Sequence, residues 1–253
     1  MGATRAITDI PVIAVVCGKG GVGKTSVAVA LARRLVAAGR KVGLVDADLH
    51  GPDVPRMLGL RRDVPAKSLT IANWVGGRNS GIEAMEVDGL KVASVGFLLA
   101  GQQGFAVDAS IGDMMLGRLI RDTRWGDVDT LVVDLPPGTG DVQQALLALA
   151  GPVAAVLVVT PAEVAHLDTN RALTILKDAR VTIIGGVENM VYLECGGCGE
   201  ATALHDPAPE ERTIWARNVP KLASLPYRVG GAIGDADIAP VVSSVTGYLG
   251  RAL

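Results

Sequence analysis

Aromatic side chains are nearly missing from this sequence: Phe, Tyr and Trp make up 3% of its 253 residues, so any core must be assembled from Val, Leu, Ile and Ala. Charge of either sign is not in excess. With 24 Lys and Arg against 26 Asp and Glu, the formal net charge is −2, which leaves no basic footprint for nucleic acid. No apolar run approaches a membrane span, because Gly, Pro or a charge interrupts each one, and Met1–Asp9 lacks a basic-then-apolar signal pattern. Neither nucleic acid nor membrane is therefore expected as a partner. Cysteine is scarce as well. Three in a chain of this length do not make a disulfide framework, and a reducing, cytoplasmic setting is the default. What remains is 49% hydrophobic and 20% charged, enough for a sizeable core, and residues 1–253 are expected to form a single α/β domain behind a short N-terminal arm.

Residues Gly18-Lys19-Gly20-Gly21-Val22-Gly23-Lys24-Thr25 fit the P-loop pattern G-x-x-x-x-G-K-[ST] without a mismatch. An apolar run leads in and a helical pattern from Ser26 leads out, which is the strand–loop–helix context such a motif needs. Glycines let several N–H groups converge on one phosphate, and the helix N-terminus adds unpaired donors and partial positive charge. Lys24 is placed to reach the β- and γ-phosphates of ATP and the Thr25 hydroxyl to sit on Mg²⁺. Gly18, Gly20, Gly21, Val22, Gly23 and Ser26 supply the cradle. Lys19 is not demanded by a plain P-loop. A cation directly after the first glycine shares the phosphates of its own loop with Lys24 only with difficulty, and suits a nucleotide bound by a second subunit.

Short, β-branched apolar runs at Ile10–Val16, Val42–Val45, Lys91–Val95, Thr130–Val133, Val153–Val159 and Val181–Val187 alternate with helical patterns. The predicted fold is a doubly wound, mostly parallel sheet flanked by helices, with ligand sites at the C-terminal strand ends. Leu69–Val75 and Ile82–Val87 flank Gly76-Gly77 and suggest a peripheral hairpin. Ile238, Val241, Val242, Val245, Tyr248 and Leu249 fall at helical spacing with only Arg251 as a basic residue, so this last helix is expected to dock on the sheet rather than on a membrane.

The strand exits carry the remaining candidates. Asp46-Ala47-Asp48 ends the second strand: Asp48 is the candidate for orienting the attacking water, with Asp46 as support, and His50 reads as a loop histidine. Thr130–Val133 delivers Asp134 in a Walker B arrangement, followed by Leu135-Pro136-Pro137-Gly138-Thr139-Gly140-Asp141. Pro136 and its neighbours form a stiff turn suited to sensing a γ-phosphate, and Asp141 reads as a helix cap. Asn189, after Glu188, has the donor and acceptor needed to read a purine edge, or to shape the turn. Cys195-Gly196-Gly197-Cys198 offers two thiolates at C-x-x-C spacing, half a typical four-ligand site. A twofold dimer could complete a Cys₄ centre, His205 could join within the chain for zinc, or the pair could act as a redox dithiol. Cys17, at the end of a buried strand, reads as a packing residue.

The K-G-G-V-G-K-T form resembles the deviant Walker A ATPases. With Asp46–Pro55, Asp134–Asp141, Val187-Glu188-Asn189-Met190 and the following C-x-x-C, nearly the whole chain from about residue 10 looks like the Mrp/ApbC family of iron–sulfur cluster carrier ATPases. That resemblance implies a homodimer that binds and slowly hydrolyses ATP with Mg²⁺. It implies a [4Fe–4S] cluster bridged by Cys195 and Cys198 of both subunits and handed to apo iron–sulfur proteins. It makes Lys19 the cross-dimer lysine, Asp48 the water-positioning residue, Asp134 the Mg²⁺-side aspartate and Asn189 the adenine reader. Nickel- or zinc-inserting ATPases of the CooC type and spatial organisers like MinD and ParA share the same loop. The chain departs from the carrier pattern at Val107–Met115, where relatives often have W-R-G-P-M, and at Ala162, where glutamine is common. Many relatives also carry an extra N-terminal domain.

Overall fold

The computed structural model describes residues 10–48, 51–60, 82–98, 109–138, 152–228, 230 and 232–252. Its centre is the strand β1, Val12–Val16, five apolar residues all buried. Alternate side chains enter opposite layers: Val12, Ala14 and Val16 face one core cluster, Ile13 and Val15 the other. A strand covered on both faces has no solvent side, which is why the run is continuously apolar.

The remaining strands are β2 (Val42–Asp46), β3 (Ile82–Glu83), β4 (Met85–Val87), β5 (Leu90–Ser94), β6 (Thr123–Arg124), β7 (Thr130–Asp134), β8 (Val153–Val159), β9 (Thr182–Glu188), β10 (Tyr192–Glu194), β11 (Ala201–Ala203) and β12 (Lys221–Ser224). Eight form one sheet in the order β12-β9-β8-β1-β7-β2-β5-β4, with parallel pairing throughout except at the β4 edge. The helices are α1 (Lys24–Ala37), α2 (Val54–Met57), α3 (Val95–Leu98), α4 (Ala109–Asp122), α5 (Glu163–Asp178) and α6 (Asp235–Ala252). One face of the sheet is covered by α1 and α6 and the other by α4 and α5, so the doubly wound α/β architecture is as predicted. Leu31 and Leu35 of α1 are fully buried, each contributing about 2 kcal/mol of hydrophobic stabilisation.

The terminal helix buries Ile238, Val241, Val245 and Leu249 completely. It does not lie on the sheet alone: it packs along α1 and reaches the sheet edge at β9 and β12. The apolar stripe is therefore core, and no described helix is long and apolar enough to cross a membrane.

Only the second arm of the predicted peripheral hairpin is described. Residues 69–77 lie outside the described set, but the stretch expected as the second arm is two short strands with different partners. Ile82–Glu83 pairs in parallel with β6, and Met85–Val87 pairs antiparallel with β5. The turn is Asp88-Gly89, with φ of 51° and 77°. Both central residues are left-handed, as a two-residue turn needs to match strand twist, and Asp-Gly is a favoured pair there.

Candidate functional site

The P-loop leaves the C-terminal end of β1 and enters α1 at Lys24. Gly23, at the N-cap position, has φ 82°, and no side chain caps the helix. The first-turn N–H groups are thereby left to an external acceptor, the arrangement that binds phosphate. A Cβ on Gly23 would stand 2.2 Å from the Asn189 amide nitrogen, so close approach as well as backbone angle requires glycine. Gly18 is constrained differently: a Cβ would lie 2.1 Å from the backbone of Asp168. Helix α5 crosses the loop here, and the Gly18 N–H donates to Thr169 Oγ1 at 3.2 Å. Thr169 was not foreseen, being 151 residues away. Lys19 and Gly20 are exposed at the tip, while Val22 is buried.

Beside the loop, β2 and β7 end in register at Asp46 and Asp134. Asp134 is fully buried and meets both key P-loop side chains: Lys24 Nζ at 2.5 Å and the Thr25 hydroxyl, donating to Oδ2, at 2.7 Å. Burial pushes the Asp134 carboxyl above the usual range, while the Lys24 ammonium and Thr25 hydroxyl oppose that shift. The predicted Walker B aspartate and P-loop lysine are thus brought together. Thr25 and Asp134 also supply the hard oxygens that would hold Mg²⁺.

Asp46 takes a supporting position away from the cavity lining. Its Oδ2 accepts from the Ser94 hydroxyl (2.8 Å) and Val54 N–H (3.2 Å), and its Oδ1 from Asp48 N–H (3.3 Å). Burial, with the Asp134 charge next, raises this carboxyl to about 7. Asp48 is half-buried, lines the cavity and accepts the Gly51 N–H at 3.2 Å. His50, Thr139, Gly140 and Asp141 lie outside the described residues. Pro136 is half-buried, and it is its neighbour Pro137 that lines the cavity, ahead of Gly138 at φ 102°.

The cavity measures about 540 Å³ and is bounded by the P-loop, Asp48, Arg56, Pro137 and Met190. Arg56 is a lining residue that no motif signals. Asn189 lies beneath the loop rather than on the lining. Its Nδ2 donates to the Val22 carbonyl at 2.9 Å, bracing the P-loop from the end of β9. Cys17 is buried in the core cluster that holds Ile13 and Val15 and also borders the cavity, and burial raises its thiol to about 11.

Beyond Asn189, which follows β9, the chain runs on into an antiparallel ribbon, β10 and β11, whose turn carries both cysteines. Cys195 and Cys198 are exposed. The turn is closed by Cys195 N–H to the Glu200 carbonyl (2.9 Å) and Gly199 N–H to the Cys195 carbonyl (2.8 Å). Backbone N–H groups of Cys198 and Gly197, with the Cys198 thiol, aim at the Cys195 sulfur and hold its thiol below the ordinary value. A sulfur so solvated is prepared for metal ligation as thiolate. Among the described residues no three His, Cys, Asp or Glu side chains converge on a possible metal. The His205 completion within one chain is therefore not formed, although His205 is described.

A mostly parallel sheet with a P-loop after its central strand, a lysine–aspartate pair at the phosphate end and flanking helices defines a P-loop NTPase. Within that class, residues 10–244 match the family described as ParA: NUBPL iron-transfer P-loop NTPase, and the chain belongs to it. It is 36% identical over 227 residues to the iron-sulfur cluster carrier protein of Haemophilus influenzae, covering 90% of this chain and 58% of that protein. The corresponding protein of Pyrococcus abyssi is 35% identical over 219 residues, covering 85% and 73%. The chain thus spans less than two thirds of the bacterial relative. Among solved structures, a nucleotide-binding protein of Archaeoglobus fulgidus in complex with ADP superposes with TM-score 0.69 at 30% identity, over 92% of this chain and 86% of that one. The cell division ATPase MinD of Pyrococcus furiosus gives 0.67 at 25%, over 95% and 100%.

Proposed function

We propose that this chain is one ATP-binding and ATP-hydrolysing unit that carries a [4Fe–4S] cluster between two copies of itself and delivers it to apo iron–sulfur proteins in the cytoplasm. The observation that carries this reading is an exposed Cys195/Cys198 pair on one turn, without a third ligand among the described residues, close along the chain to the Asn189 that braces the P-loop. Two thiolates are half of what a cubane cluster takes from protein, so a second copy completes the set. Lys24 and the α1 N-terminus hold the phosphates, Thr25 and Asp134 the metal side, and Asp48 positions water. Lys19, exposed at the loop tip, reaches the nucleotide of the second copy. The family and the carrier names of relatives at 35–36% identity support this assignment.

The test is anaerobic reconstitution with iron and sulfide, read by absorbance near about 400 nm and iron content, for wild type and a Cys195→Ala, Cys198→Ala double variant. A brown dimer with about four irons, colourless in the variant, supports the carrier. A colourless wild type that takes one zinc or nickel per dimer makes the protein a metal-insertion ATPase instead.

A further inference from the structure

Among the described residues, the phosphate cavity is lined by one basic side chain besides Lys24, Arg56 of α2. We propose that Arg56 contacts the terminal phosphate of the bound nucleotide and makes the site prefer ATP over ADP; this rests on the ATPase reading above.

Arg56 is exposed, but the turn presenting it is fixed. Val54 and Pro55 are buried, Val54 N–H donates to Asp46 Oδ2, and Leu58 and Leu60 close the turn onto the Val54 and Pro55 carbonyls. The same Asp46 ends β2 in register with Asp134, which holds Lys24 and Thr25. Arg56 is therefore displayed from the very strand ends that build the phosphate site.

Sheet order fixes which end of the nucleotide it faces. The P-loop follows β1. Thr25 and Asp134 mark the phosphate–metal side towards β7 and β2, whereas Asn189 and Met190 mark the opposite side towards β9. Arg56 follows β2, so it stands at the phosphate end.

Charge completes the argument. Lys24 is already ion-paired with Asp134 at 2.5 Å. Arg33, Arg34, Arg40, Arg118 and Arg228 each meet a carboxylate, but among the described residues Arg56 meets none. Asp48 and Asp53 share the cavity lining. With two carboxylates in the lining and Lys24 already paired, a polyphosphate entering the cavity calls for an uncommitted cation, and a guanidinium matches two phosphate oxygens at once. Magnesium–ATP carries one more negative charge than magnesium–ADP, on the terminal group, so a contact there discriminates between them.

The experiment measures magnesium–ATP and magnesium–ADP dissociation constants by calorimetry on the full chain, for wild type, Arg56→Ala and Arg56→Lys. Arg56→Ala is expected to weaken ATP binding about 10- to 100-fold while ADP changes less than about twofold, with Arg56→Lys between, as for loss of a charge-assisted pair. An unchanged melting temperature shows that the variants fold. Unchanged ATP affinity in Arg56→Ala overturns the assignment. So does an equal loss for both nucleotides, which would place Arg56 on groups that ATP and ADP share. A wild type that binds neither nucleotide removes the ATPase reading, and this contact with it.

Discussion

Two buried carboxylates stand side by side at the ends of β2 and β7, and their surroundings give them different work. Asp134 faces Lys24 and Thr25 and belongs to the ligand. Asp46 faces Ser94, Val54 and the Asp48 backbone and belongs to the loop it pins. Burial and the neighbouring Asp134 raise the Asp46 carboxyl from 3.8 to about 7. In that window the native state holds a proton that the unfolded chain has released. Stability from this group is complete below the unfolded value and falls as pH rises through the folded one. Shifts of this size correspond to a few kcal/mol, on the order of 4, at most. Chemical denaturation from pH 4 to 8 should therefore show stability declining towards neutrality, and Asp46→Asn, which cannot titrate, should flatten the decline. An equally steep profile in the variant would assign the slope to another group.

Element by element, the parts legible in the sequence are those whose chemistry is local. The P-loop needs eight consecutive residues, and the parallel strands announce themselves as unbroken apolar runs because both faces are covered. Asp134 was readable for the same reason, as the residue that ends such a run. The turn at Asp88-Gly89 is missing from the sequence reading, which takes Gly76-Gly77, outside the described residues, as the turn signal of this stretch. Arg56 and Thr169 were invisible for a different reason: their roles arise where elements distant in sequence meet. Thr169 is buried on α5 and accepts the Gly18 N–H, fixing the first glycine of the loop against a helix that starts after β8. Thr169→Val keeps the shape and removes the acceptor. It should cost about 1–3 kcal/mol in thermal or chemical unfolding and weaken nucleotide binding through the P-loop. A variant with wild-type stability and affinity would mean that backbone packing at Asp168 suffices.

For the whole molecule, the telling feature is a cysteine pair that finds no third ligand among the described residues. The P-loop is braced by Asn189, and the chain runs from there through β10 directly to Cys195, so the phosphate site and the cysteine turn hang on one strand end. In the proposed carrier, Fe–S cargo held by two cysteines from each of two copies depends on association as well as on affinity. Mass action then ties cluster retention to protein concentration, since dilution that separates the copies leaves each with two thiolates and no stable cubane. Reconstituted protein diluted in tenfold steps under anaerobic conditions should lose absorbance near about 400 nm in parallel with the shift from dimer to monomer in analytical ultracentrifugation. Cluster loss to a chelator should also slow as protein concentration rises. A brown monomer that keeps its iron on dilution would place all the ligands in one chain, and the missing ones would then have to come from outside the described residues, because Cys195 and Cys198 find no third ligand within them.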